Sequence, residues 1–289
     1  MPDNLPLPET SFIALPDHAV VSLKGADATA FAQAQFANDV AALAEGQWQW
    51  NTWLTPKGRV VAVFALVKIA MDDLLLIVPD YAGDALSTSL GRFVFRRKVV
   101  ISNRHELQVG AALQPPAGAR AARFYRESDA VEIDYSGAGG ARTLRIGSGF
   151  ALASDDMVAT WRSLDLRHGL ARLEEGQREQ WTPQQLSLDR LQAYSVSKGC
   201  YPGQEIVART HFLGKAKRAL ALLEGRRSAQ SGAEVFADDR PVGSVVSSSG
   251  SLALAVLPIE RGAQTLQVDG QPVLEVPLSG GLGRALGES

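Results

Sequence analysis

The chain has 289 residues, 46% of them hydrophobic and 21% charged, and its formal net charge at pH 7 is −2. That balance suits a globular protein whose core is divided among two or more lobes. It offers no bulk attraction to nucleic acid or membrane, so any anion binding has to come from a local patch.

In chain order, Met1 to Pro16 lacks the basic start and long apolar core of a signal peptide. Val20 to Leu23 predicts a short strand closed by the turn Lys24-Gly25-Ala26-Asp27. Asp27 is placed to cap a helix in which Phe31, Ala34 and Gln35 recur at helical spacing. Arg59 to Ile69 and Leu74 to Val78, separated by Asp72-Asp73, predict a hairpin in a largely buried antiparallel sheet. The most apolar run, Val60 to Met71, is broken by Lys68 and is too short to span a bilayer. A helix is expected after Asp80, with Ala85, Leu86, Leu90 and Phe93 on its apolar side. Ala111 to Arg123, rich in Ala, Gly and Pro, reads as a connector.

Strands at Arg142 to Ile146 and Phe150 to Ala153 then precede Ser154, a helix cap followed by Asp155 and Asp156 in the first turn. Met157, Val158, Trp161 and Leu164 fall on one face of that helix. From Arg218 onward six short strand-like segments follow: Ala219 to Leu223, Glu234 to Ala237, Gly243 to Ser247, Leu252 to Leu257, Thr265 to Val268 and Val273 to Val276. Gly, Asp and Pro separate them, which predicts a small all-β barrel or sandwich. The fold class is therefore α+β, with a region 1–213 followed by a β region 214–289.

Cys200 is the only cysteine, which excludes an intrachain disulfide and fits a reducing cytosol. It sits in Lys198-Gly199-Cys200-Tyr201-Pro202-Gly203-Gln204-Glu205. Two glycines there permit a tight turn, and Lys198 is placed to favour a thiolate. A small buried hydrophobe in a turn is the competing reading of Cys200. This segment, continued by Val207-Ala208-Arg209, resembles the signature of the YgfZ family, folate-binding proteins related to the T-protein (aminomethyltransferase) of the glycine cleavage system. Val21 to Asp27 with Gln35 and Asp39, Pro183, Trp161 followed by Gly169, and Val242 to Ser248 are similar to further family segments, so the likeness runs from about residue 18 to about residue 260.

The resemblance implies a three-lobed ring, two α+β lobes and a C-terminal barrel, around an opening that admits tetrahydrofolate or a one-carbon derivative. It implies that Trp161 contacts folate, whereas an aromatic in an apolar stripe is by default core. His18 stands about where the family has a second tryptophan. Cys200 and Lys198 are the expected reactive pair, with Tyr201, Gln204, Glu205 and Arg209 positioning ligand or sulfur. Lys198, Arg209, Lys215, Lys217 and Arg218 form a basic cluster able to hold the glutamate tail of folate or a phosphate, or else an ordinary solvated strand edge. T-proteins carry two acids shortly after a glycine in the central strand; here Ala62 and Val63 occupy those places after Gly58, which argues against aminomethyl transfer.

One thiol cannot build an iron–sulfur cluster alone, and His105, His168 and His211 have no ligand-like companions, so no metal site is expected. Three readings remain open. The first is a cytoplasmic folate-dependent accessory factor for iron–sulfur enzymes or their assembly proteins, acting indirectly on tRNA modification with no direct nucleic-acid or membrane partner. The second is a folate-dependent one-carbon transferase with an unknown acceptor. The third is a binding module in which Cys200 is structural.

Overall fold

A computed structural model describes residues 12–214, 216–262 and 264–284. The first lobe is a five-stranded antiparallel sheet in the order Gln47–Leu54, Val60–Ala70, Asp73–Pro79, His18–Lys24, Val100–Asn103. The hairpin expected from the apolar runs is its centre, with Leu66 opposite Leu76. Helices α1 (Ala28–Gln35) and α2 (Gly83–Gly91) belong to this lobe. Phe31, Phe36, Phe64, Leu74, Leu86 and Leu90 form its own core. Asp27 makes no side-chain cap; its Oδ2 accepts from the Lys98 backbone N–H at 2.7 Å instead. On α2 only Leu86 and Leu90 of the expected apolar side are buried, while Ala85 and Phe93 are exposed.

The second lobe is another five-stranded sheet, ordered Ile13–Ala14, Gln108–Ala112, Thr143–Gly147, Ala130–Asp134, Tyr125–Glu127. Its first strand precedes the first lobe in sequence, so the chain visits this sheet, builds lobe one and returns. The expected connector from Ala111 thus begins as strand, and Ala119 and Ala122 within it are buried. Phe150 to Ala153 contributes only a bridge, between Ala151 and Ile13. Helix α3 (Asp155–Arg167) starts at the Ser154 cap, whose Oγ accepts from Met157 N–H at 3.3 Å. Its buried positions are Trp161, Asp165 and Leu166 rather than Met157, Val158 and Leu164.

The third lobe is a closed barrel of six strands: Arg218–Glu224, Glu234–Ala237, Arg240–Ser249, Leu252–Pro258, Leu266–Val268 and Gln271–Val276. All six expected segments are strands. Ala221, Leu223, Val245, Ala255 and Leu257 fill a cluster of their own, while alternate residues Leu220, Leu222, Val246, Leu254 and Val256 face a second core. That second core also takes Trp48, Trp50, Val63, Val109, Ile133 and Trp161, so all three lobes share one apolar interior. No helix among the described residues is long and apolar enough to cross a membrane.

Candidate functional site

The cysteine loop is held by backbone contacts. Thr55 to Arg59 makes a tight turn, with Gly58 N–H donating to Thr55 O at 2.9 Å. Gly203 has a left-handed φ of 80° and lies against that turn; a Cβ on it would meet Gly58 Cα at 2.6 Å and Thr55 O at 2.7 Å. Only glycine fits there. Gly199 has no such need, since nothing lies within 4 Å of its Cβ direction. Helix α4 (Gln204–Phe212) begins directly after Gly203. Cys200, just before the turn, is exposed.

The ammonium of Lys198 has partners other than the thiol. It is buried, and Nζ donates to the carbonyls of Gln33 at 2.6 Å, Phe36 at 2.6 Å and Asn38 at 3.0 Å. Those oxygens lie at and beyond the C-terminal end of α1, where a cation is favoured. Burial lowers its pKa to about 8 and Asp39 partly opposes the shift, so it stays charged at neutral pH. Lys198 is therefore a clamp between lobe one and the loop, a correction to its expected role beside the sulfur. Tyr201 is also buried, its hydroxyl donating to Ser195 O at 3.0 Å, and Gln204 Nε2 donates to Lys198 O at 2.9 Å. Glu205 and Arg209 are exposed on α4.

Trp161 and His18 meet elsewhere, through a buried charge network that sequence reasoning missed. Arg172 donates from Nε to Asp80 Oδ2 at 2.5 Å, from Nη2 to Asp17 Oδ2 at 2.6 Å, and from Nη1 to Asp165 Oδ2 at 3.1 Å. Asp165 also accepts from Arg142 Nη1 at 2.8 Å, and Asp17 is bonded to His18 Nδ1 at 2.7 Å. Burial alone would raise the Asp17 pKa, but the hydrogen bond and charge of His18 and the charge of Arg172 outweigh it and hold the carboxyl well below the usual range. Trp161 is 2% exposed, stacks on Tyr135 at 5.6 Å, and carries the Arg142 guanidinium 4.9 Å from its ring centre. The His18 side chain is likewise buried. Neither ring presents a free face.

Ala62 and Val63 line a slot of about 10 Å³ with Val61, Pro79, Tyr81, Ala171, Leu173 and Arg178. That is room for about one water. The slot joins the network, because Arg178 donates to the carbonyl of Asp80 and its guanidinium lies 4.0 Å over the Tyr81 ring.

The expected basic cluster gathers only in part. Lys198 is engaged, Lys215 lies outside the described residues, and Arg218 Nη1 donates to Val242 O at 2.8 Å. Lys217 and Arg218 line a pocket of about 290 Å³ with Arg59 and Thr210, and Lys217 also lines an adjoining open groove of about 1220 Å³ with Gln184, Tyr194, His211 and Glu260.

With this geometry in hand, relatives can be compared. Residues 217–277 match the family described as CAF17, C-terminal beta-barrel domain. Over 250 residues the chain is 28% identical to the tRNA-modifying protein YgfZ of Colwellia psychrerythraea, covering 78% of this chain and 75% of that one. The chain is thus similar to YgfZ over about three quarters of its length.

An uncharacterized protein of Haemophilus influenzae is also 28% identical to this chain, over 229 residues and 78% of each chain. Aminomethyltransferase T of the glycine cleavage system from Bartonella henselae shares the fold, with a TM-score of 0.68 at 15% identity over 92% of this chain and 84% of that one. The missed residues of the buried network did leave a trace. Asp165 stands four places after Trp161 on one helical face, and Arg172 interrupts the apolar run Leu170-Ala171-Leu173. A charge inside an apolar stripe signals a buried partner.

Proposed function

We propose that this chain is a folate-binding accessory protein that supports iron–sulfur enzymes, including enzymes of tRNA modification, and that it is not an aminomethyltransferase. The observation behind the folate assignment is a set of buried donors without acceptors: Arg142 Nε and Nη2, and Trp161 Nε1. Buried N–H groups left unpaired cost about 1–3 kcal/mol each, so the site is poised to gain from a ligand rich in acceptors. Folate fits that requirement through its pterin carbonyl and ring nitrogens and its carboxylates. Arg142 and Trp161 would hold such acceptors once this interior opens, since the neighbouring slot beside Val63 and Tyr81 as it stands has room for about one water. When bound, tetrahydrofolate supplies a carrier for one-carbon units.

Ala62 and Val63 can neither accept a proton nor stabilise a cation, which argues against aminomethyl transfer at the slot. Cys200, exposed at the head of α4, is the nucleophilic group available to a partner or its cluster.

Calorimetric titration with tetrahydrofolate and its one-carbon derivatives tests the reading. Saturable binding is expected, weakened about tenfold or more in Arg142→Met, since a lost charged hydrogen bond is worth about 1.5–3 kcal/mol. Absence of binding by the native protein would overturn it. The sulfur is tested separately: a Cys200→Ala protein that fully restores iron–sulfur enzyme activity in a deletion strain removes the thiol from the account.

A further inference from the structure

Helix α2 ends at Gly91, and two tight turns follow, closed by Val94 N–H to Gly91 O at 3.2 Å and Arg97 N–H to Val94 O at 2.9 Å. Between them Phe95 adopts a left-handed φ of 47°. For a bulky L-residue this conformation costs roughly 1–2 kcal/mol. The usual compensation for such strain is burial, yet Phe95 is 89% exposed. Phe93 beside it is 40% exposed, its ring edge-on to Trp53 at 6.3 Å.

Arg92, Arg96, Arg97 and Lys98 flank these rings and are all exposed. Among the described residues none of the four makes an ion pair. Asp27, which lines the same groove, directs Oδ2 to the Lys98 backbone N–H. Phe93, Val94, Phe95, Arg96, Arg97 and Asp27 enclose an open groove of about 590 Å³. Here is the local basic patch that a net charge of −2 conceals.

We propose that this groove binds single-stranded nucleic acid, with phosphates on Arg96, Arg97 and Lys98 and a base stacked on Phe95. Unpaired cations alone would suit an acidic peptide equally well. The strained, uncovered ring among them favours a polyanion that also carries flat aromatic groups. A concave groove, rather than a broad apolar face, argues against insertion into a lipid surface. The site is remote from the folate slot in the fold, at the edge-strand side of lobe one, and does not depend on the folate reading.

Fluorescence anisotropy of a labelled oligouridine of about 12 nucleotides with the full chain tests this, with the matching oligothymidine as a second probe. With about three phosphates neutralised, affinity is expected to fall roughly 20-fold between about 50 and about 200 mM salt. Phe95→Asn is expected to weaken binding about tenfold through lost stacking. Because asparagine tolerates a left-handed backbone, the same variant keeps or raises thermal stability, which separates binding from folding. Arg96→Gln with Arg97→Gln should flatten the salt dependence while leaving folate titration unchanged. The proposal fails if neither oligonucleotide saturates the native protein, if Phe95→Asn binds as well as native, or if anionic phosphatidylserine vesicles or polyglutamate bind more tightly than the oligonucleotides.

Discussion

The cysteine loop and the arginine network are built in opposite ways. The loop keeps its reactive atom in solvent and secures the backbone beneath it, through Gly203 against Gly58 and Lys198 across three carbonyls. The network hides its charges and secures them with one another, Arg172 among Asp17, Asp80 and Asp165. Buried ion pairs gain strength from being dry, because a lower dielectric enlarges every polar term. The contrast teaches that one fold can secure an exposed side chain through the backbone beneath it and buried charges only through one another.

The sharpest way to break the comparison is Arg172→Met. It strands buried carboxylates without their shared cation, and a loss of about 3–5 kcal/mol in urea unfolding is expected. A loss below about 1 kcal/mol would mean that water already solvates these acids and that the network is not dry.

Acid should attack the same region. Burial, then the charge of Arg142, lowers the pKa of His168 to about 4 from an ordinary value of 6.5. Between those values the unfolded chain holds a proton that the folded chain lacks. The stability is therefore fully present above about pH 6.5 and is lost as pH falls toward 4, by up to about 3 kcal/mol. Thermal unfolding across that range checks it, and His168→Gln should flatten the profile.

For the loop, Gly203→Ala meets backbone atoms at 2.6–2.8 Å with an unfavourable φ, and should cost about 2–3 kcal/mol. Gly199→Ala, facing open space, should change stability by less than about 0.5 kcal/mol. Equal effects at the two glycines would remove the close approach to Gly58 as the reason for the motif. Below Gly203→Ala comes Lys198→Met, expected to cost about 1.5–2 kcal/mol from unmet carbonyls and to speed alkylation of Cys200 as the loop loosens. An unchanged labelling rate would show that the clamp serves lobe one alone.

Much of the fold was legible because its signals are local. The six barrel strands are short, rich in apolar residues and separated by turn residues, so each announces itself within ten residues. Ser154 followed by two acids marks the start of α3 in the same way. Strand Gln47–Leu54 was not legible. Its tryptophans alternate with Gln49, Asn51 and Thr52, which look solvent-facing yet are buried. Asn51 Oδ1 accepts from Asn38 N–H at 3.0 Å, and Thr52 Oγ1 donates to Ala193 O at 3.0 Å, partners that no periodicity displays. Trp161 illustrates both sides. Its stripe marked it as buried, but only the packing shows Tyr135 and Arg142 covering the ring.

By itself the sequence determined the lone thiol and the glycine that turns its loop, the α+β order ending in a barrel, and the want of acids at positions 62 and 63. These are properties of residue type and short spacing, and no folding is needed to read them. Tertiary structure alone decided which charges neutralise one another. Asp165 lies in α3 and Asp17, Asp80 and Arg172 in three separate loops, and each would be unremarkable on a surface. What they do depends on distance and dielectric, and neither quantity exists until the lobes close around them.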